Sequence, residues 1–589
     1  MQTLGRILKG IWWTIRAAVF LVGLAVLGLI VVAAVSGPWD RSSRPLPASA
    51  TLHIDLAGGL SEDAADDGLA HYLRGDAMTL SRLVRVLDRA ATDTRIDALT
   101  MDITFADLDH TAVEALQPAI RRFREAGKRT AIFSEAYDLP RYRLATAFDT
   151  IWLDRTGEFA VTGVSMEIPF AGELVDDLGV KPQFERRRDY KTAADIFTRR
   201  NLAPNVRAAF HEFVNDVQGA SDADVINGRN GVADRMQVWK MLESALLSPE
   251  TALQDGLVDL LETREAFEGA TTGAVVDYRD YLPEISVAVS DAALPVALIS
   301  ANGEIVSGRN RPFGDQAIVD GDLVDLLDKA AADDSIRAIV LRVDSPGGGY
   351  GPSDAIRRAL ARIEKPVVVS MGRVAASGGY LLALGADRIV AHGSTVTGSI
   401  GVLGGKVVVA DLLDEYGVRF EFVDSGPQSG MFSPFRAFSP EQQARLSSRI
   451  DMIYADFVDR VATARNLSPV AAEAAAQGRI WTGRQALDLG LIDAVGGLEV
   501  AADQVLQLID QPGRRIRWIE YPDLSPEERI RKVIGGGLGN LSVLAGLSGD
   551  SPLARLSNPT DATVTVNAAR QILTEAGGVR LMGPDVRLR

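Results

Sequence analysis

One serine in this chain stands in surroundings that would suit a nucleophile. The run MGRVAASGGYLLALGADRI (371–389) sets Ser377 among small residues, follows it with Gly378 and Gly379, and then becomes apolar with helical spacing. A serine at a helix start has its hydroxyl near free N–H donors and the positive end of the dipole. Small neighbours let a substrate backbone approach. Other hydrolases meet the same need with a sharp strand-to-helix elbow. A serine so placed can also do no more than cap its helix. Upstream, RVDSPGGGYG (342–351) follows an apolar strand. Its proline and glycines suit a tight turn whose N–H groups point at one spot, as a developing oxyanion requires. No GKS or GKT accompanies it, which argues against a phosphate loop. A plain turn is the remaining alternative.

Composition narrows the rival chemistries. The absence of cysteine removes thiol nucleophiles, thiolate metal sites and disulfides together. The five histidines (His53, His71, His110, His211, His392) show no HExxH or similar spacing, so neither metal nor cofactor is expected. His392 lies fifteen positions beyond Ser377. With Asp387 or Asp344 to orient it, a Ser-His-Asp triad is the rival arrangement, although the strand-end turn AHGS suits a structural histidine. A net charge of −16 argues against a nucleic-acid binder, which needs clustered Lys and Arg.

The elements that must position these residues come in two sets. At 589 residues the chain is too long for one ordinary domain, and it repeats itself. LDRAATDTRIDALTMDI (87–103) aligns without a gap with LDKAAADDSIRAIVLRV (327–343). In the same order, AFDTIWLD (147–154) matches GADRIVAH (385–392), LVDDLGV (174–180) matches LLDEYGV (412–418), and ALQDGLVD (252–259) matches ALDLGLID (486–493). Such ordered self-similarity marks an internal duplication. In the second half, PVALISANGEI, AIVLRV, PVVVSM and DRIVAHG read as buried strands, with helices over 320–334 and 353–364. Strands alternating with helices imply βαβ units, a mainly parallel sheet and an α/β fold. The linker is expected near 260–293, and the Gly- and Ser-rich tail after about 515 reads as an appended extension. Ahead of both halves, residues 17–36 run twenty positions without a charge, enough to cross a hydrocarbon core. Trp12, Trp13 and Trp39 flank the run, and Arg6, Lys9 and Arg16 precede it. This reads as a single transmembrane helix with its N-terminus cytoplasmic. The predicted domains are 1–46 (stub and anchor), 47–285 (first module), 286–515 (second module) and 516–589 (extension).

SPGG, then AASGGY, then STVTGSIGV (394–402), taken with the duplication, resembles the long form of signal peptide peptidase A over roughly residues 50–500. That family consists of membrane-bound serine proteases with a ClpP/crotonase-like fold. The resemblance implies two tandem modules of that fold, Ser377 as nucleophile and a lysine as general base. Short, single-module members carry the lysine after the strand that follows TGSIGV. Here the matching stretch FVDSGPQSGMFSPFRAF (422–438) has none, whereas FERRRDYKTAADIFTRR (184–200) in the first half has one, Lys191, in the Tyr190-Lys191 context of the long form. The first half in turn has SEAYDLPRY (134–142) where the serine should stand, with Leu139 near its position, and ITFAD (103–107) in place of SPGG. Each half lacks what the other retains. Lysine ordinarily titrates near 10.4, so burial, helped by like charge from Arg186 to Arg188, must hold it neutral. The resemblance further implies Ser399 as an orienting hydroxyl, and oxyanion donors from Gly378 and from Gly347 or Gly348. It implies peptide substrates, namely signal peptides left after secretion, and a homo-oligomer, a tetramer in the long form. The location implied is the bacterial inner membrane, with the catalytic part periplasmic. A crotonase-like enzyme acting on an acyl-CoA and an inactive scaffold are the other classes. The first lacks any nucleotide-binding feature, and the retained Ser377, Lys191 and SPGG speak against the second.

Overall fold

The computed structural model describes residues 45–57, 60–62, 78–229, 232–271, 273–284, 293–309, 317–522, 579–582 and 587–588. The apolar run 17–36 lies outside them. Among the described residues no helix is long and apolar enough to cross a membrane.

Two parallel sheets repeat one strand order. The first runs Leu260–Leu261, Thr150–Phe159, Arg129–Tyr137, Ile96–Asp102, Ala50–Asp55, Ala274–Asp277. The second runs Ala494–Val495, Arg388–Ala391, Val367–Ala376, Ala338–Ser345, Leu294–Asn302, Ile516–Tyr521. Helices recur in step: Leu80–Thr92 with Asp320–Ala332, His110–Glu125 with Tyr350–Ala361, Gly172–Asp177 with Ala410–Glu415, and Pro204–Gly228 with Pro440–Ala464. The fold is α/β and duplicated. Central strands such as Ala338–Ser345 are apolar over both faces because helices cover both sides of the sheet. Leu80–Thr92 buries Leu80, Leu83, Val84, Leu87 and Ala91 along one helical stripe and is capped by Thr79, whose hydroxyl accepts from the Arg82 N–H.

Several expected boundaries move. Much of the predicted linker belongs to the first sheet: Leu260–Leu261 and Ala274–Asp277 pair along its two edges, and Tyr278 and Tyr281 are buried in its core. The expected helices at 320–334 and 353–364 are Asp320–Ala332 and Tyr350–Ala361. Nor is the region after 515 simply appended. Ile516–Tyr521 is an edge strand of the second sheet, paired to Leu294–Ile299 through backbone bonds to which apolar periodicity gives little clue in so short a run.

The modules meet through charge. Glu520 binds Arg82 and Arg85 of the first module, and this pairing holds its carboxyl down at about 2 against the opposing effect of burial. Glu114 accepts from the Ser394 N–H and hydroxyl and pairs with Arg484. Glu62 pairs with the buried Arg342. A backbone ladder completes the joint: Lys181–Arg186 of the first module runs antiparallel to Leu403–Val408 of the second.

Candidate active site

The strand Val367–Ala376 carries a β-branched run into the centre of the second sheet and ends at Ser377. Opposite Asp344 its register jumps, from Val343 facing Met371 to Ser345 facing Ala375. Asp344 fills that bulge and accepts the Val374 N–H at 2.7 Å. Burial raises its carboxyl to about 6, with Glu62 adding to the effect. Ser377 has φ 56° and ψ −112°, a left-handed conformation that costs a non-glycine residue on the order of 1–3 kcal/mol. Its hydroxyl does not cap the helix Gly378–Ala383 that follows, so the capping alternative fails.

The hydroxyl meets an amine from the other module. Lys191 Nζ lies 2.7 Å from Ser377 Oγ. It donates to the Ser399 carbonyl at 2.9 Å and lies 3.1 Å from Ser399 Oγ. Lys191 is 1% exposed, Ser377 and Ser399 are fully buried, and burial holds the amine well below its ordinary range. The ladder between Lys181–Arg186 and Leu403–Val408 delivers the lysine, and the Tyr190 N–H donates to the Gln477 carbonyl just ahead of it. The neighbouring arginines do not supply the expected like charge. Arg186 binds the Lys191 carbonyl and Asp195, Arg187 binds Asp451, and Arg188 binds Glu473. Their charges are spent on carboxylates, and desolvation does the work. The Tyr190 ring packs with Val206, Phe210 and Ile480, a packing role beside the lysine.

The glycine-rich turn stands next to the serine. A Cβ on Gly378 would lie 3.1 Å from the Gly348 nitrogen and 3.3 Å from Gly347 Cα. The Gly347 N–H donates to Ser345 Oγ, which makes Gly348 the better partner for Gly378 in an oxyanion pocket. Two further glycines were not singled out in the sequence. A Cβ on Gly478 would lie 2.5 Å from the Lys191 nitrogen, and one on Gly401 would lie 3.1 Å from Lys191 Cδ. They form the walls of the lysine channel. Gly401 sits inside TGSIG, but nothing in the local sequence marks Gly478.

In the first module the residue following the corresponding strand is Asp138, not Leu139. It caps its helix by accepting the Arg141 N–H at an ordinary φ of −88°. The strained serine is thus replaced by a relaxed capping carboxylate. His392 takes no part in a triad: Nε2 lies 3.3 Å from Arg342 Nη1, and burial first, then Arg342, lowers the ring to about 4. Asp387 accepts the Val367 N–H. Among the described residues no cluster of His, Asp and Glu suits a metal ion.

A strained, buried serine hydroxyl 2.7 Å from a lysine amine that burial holds well below its ordinary range, with a glycine-rich turn alongside, has the chemistry of a serine hydrolase. The comparisons with known proteins agree. The profile of peptidase family S49 matches twice, over residues 122–274 and 359–511. The chain is a serine protease and belongs to peptidase family S49. It is 29% identical to Protease 4 of Haemophilus influenzae over 84% of each chain, and 29% identical to Protease 4 of Salmonella typhi over 86% of this chain and 87% of that one. It is 28% identical to the chloroplastic serine protease SPPA of Arabidopsis thaliana, over 79% of this chain and 69% of that one.

Proposed function

We propose that this protein is a membrane-anchored endopeptidase that degrades signal peptides, with Ser377 as nucleophile and Lys191 as general base. One observation carries the reading: the 2.7 Å separation of Lys191 Nζ and Ser377 Oγ across the two modules. A neutral amine has two N–H bonds and one lone pair. With its N–H bonds directed at the Ser399 carbonyl and hydroxyl, the lone pair is left for the Ser377 proton. Ser377 Oγ then attacks the peptide carbonyl as its proton passes to Lys191. The oxyanion accepts from the Gly378 and Gly348 N–H groups. The protonated lysine gives its proton to the leaving amine nitrogen, and an acyl-enzyme remains. Water attacks the ester as one of its protons passes to Lys191, and Lys191 then gives that proton to Ser377 Oγ as the acyl–oxygen bond breaks and the acid product leaves.

The modules have the ClpP/crotonase-like form in this reading. The run 17–36 anchors the chain in the bacterial inner membrane with both modules periplasmic, beside the bilayer where spent signal peptides remain. Self-association is supported by the segment 418–424. It is the second module's counterpart of Val180 and of Lys181–Arg186, the strand that joins the modules, and its Val418, Phe420, Phe422 and Val423 are exposed.

The test is acylation of Ser377 by a fluorophosphonate, together with turnover of an apolar peptide. Lys191→Ala should lower both by a factor of about 10²–10⁴ in a folded protein, while His392→Ala should retain most of the activity. Full labelling of the Lys191→Ala protein would end the proposal.

A further inference from the structure

Lys191 is not the only side chain that the first module extends towards the site. Glu114 stands early in the helix His110–Glu125, which contacts the strand Val367–Ala376 that ends at Ser377. Its carboxylate accepts the Ser394 N–H at 2.8 Å and the Ser394 hydroxyl at 2.7 Å. Arg484 Nη1 of the second module donates to it at 3.1 Å, and Arg143 of its own module lies 3.6 Å away. Burial pushes the carboxyl up, but the two arginines prevail and hold it at about 2, so it is an anion at neutral pH. The tie is peculiar to this copy of the helix. At the matching position of Tyr350–Ala361 stands Asp354, whose partners Arg357, Arg358 and Arg460 all belong to its own module.

Ser394 opens the run that leads to the dyad. The hydroxyls of Thr395 and Thr397 donate to the Gly372 and Ala375 carbonyls of the strand that ends at Ser377. The Gly398 carbonyl accepts the Ser377 N–H at 2.8 Å, and the Ser399 carbonyl accepts from the Lys191 amine at 2.9 Å. The end of the run is strained. Gly398 has φ 74° and Ser399 φ 48°, and the second costs on the order of 1–3 kcal/mol and persists only where its surroundings hold it. At the exit the Arg479 carbonyl accepts the Ser399 N–H at 2.7 Å. At the entry stands Glu114. We infer that Glu114 is a positioning residue for the reaction: by gripping Ser394 across the joint between modules, it sets the run 394–399 on which both Ser377 and Lys191 rest. The inference deepens the proposed function and rests on the roles given there to those two residues. Glu114 itself touches neither of them. Without its charge the run loosens, Ser399 turns away from the amine, and water enters beside Lys191. Burial is what lowers that amine, so water returns it towards its ordinary range.

The test uses the full chain with Glu114→Gln, which keeps the shape and removes the charge. Glu520→Gln is the control. Glu520 is likewise held at about 2 by two arginines of the other module, but its strand Ile516–Tyr521 lies at the opposite edge of the second sheet from Val396–Gly398. Counted per folded chain, kcat for a peptide should fall about tenfold in Glu114→Gln with KM unchanged, and the acid limb of kcat should move to higher pH. Glu520→Gln should do neither. Ser394→Ala leaves both arginines their partner and should lower kcat by a smaller factor, about threefold. Hydrogen exchange in a Ser377→Ala background gives a readout independent of catalysis: the amides of Ser394 and Ser399 should exchange faster with Glu114→Gln than with Glu520→Gln. A fall in kcat no larger than that of the control would overturn the inference. If the parent turns over no peptide, the proposed function fails, and exchange decides alone: equal rates in the two variants would then overturn the positioning role.

Discussion

In the proposed dyad, burial is what would turn Lys191 from an ordinary residue into a reagent. Its pH behaviour follows from the direction of its shift. Unfolded, the amine keeps its proton up to about 10.4; folded, it loses the proton earlier. Between those two values the unfolded chain binds more protons, so stability rises with pH across that window. Lys191→Met removes the linkage. Its melting temperature should exceed that of the parent at pH 7 by ~2–4 °C, and the gap should close towards pH 10. A gap independent of pH would mean that the amine is charged in the folded protein. Activity should fall as pH drops through the lowered value. Burial alone does not make a base: Lys406 is also buried and lowered to about 8, but it donates to the Met431 carbonyl and lies over the Phe438 ring. The pairing of Ser377 with Lys191 was expected from the family resemblance together with what each half lacks and the other keeps. The strain at Ser377 and the pairing of Arg186 to Arg188 could not be expected, since both depend on contacts distant in the chain.

At the level of the element, a strand and two glycines thread the lysine into the other module. Gly478 has φ +78°, and an added methyl would strike the Lys191 backbone at 2.5 Å. Gly478→Ala should lower kcat/KM by about 100-fold, in keeping with misplacement of a reacting group by about 1 Å. Gly490→Ala is the control. Its φ is similar at +73°, but its added carbon meets only Leu467 at 3.4 Å, so it should lose stability and keep activity. Equal activity in the two variants would remove the channel argument. Asp344 permits a second test. Its carboxyl is raised to about 6, so the folded state holds the extra proton between the ordinary value near 3.9 and about 6, and stability declines as pH rises through that interval. Asp344→Asn abolishes the decline. Relative to the parent it should be more stable at pH 7 than at pH 4, by on the order of 2–3 kcal/mol, as read from denaturant midpoints. The central strands and two helices of the second module were legible from apolar runs and their spacing, and the first module followed from the repeat. The short edge strands Ile516–Tyr521 and Ala274–Asp277 were not, because their place is set by the neighbour they pair with.

The whole molecule is two copies of one design made unequal. The repeat was readable in the sequence, and so was its inequality, with the serine kept in one half and the lysine in the other. The pairing of Val579–Met582 with Gly347–Gly349 and with Leu403 and Gly404 was not, because strand pairing at that distance leaves no periodic trace. The exposed segment 418–424 carries the prediction proper to this scale. Phe422→Asp should reduce the sedimentation coefficient of the detergent-solubilised protein to that of a single chain, with the fold intact by circular dichroism. An unchanged coefficient would rule this segment out as a self-association surface. The reach of Lys191 into the second module has a consequence for biosynthesis. With the proposed dyad, a ribosome that has delivered only the amino-terminal repeat has made a blade without an edge, and a fragment holding only the later repeat is just as harmless. Cutting power would then arrive late, when the finished halves close on one another, and a nascent or truncated copy could not injure the cell that makes it.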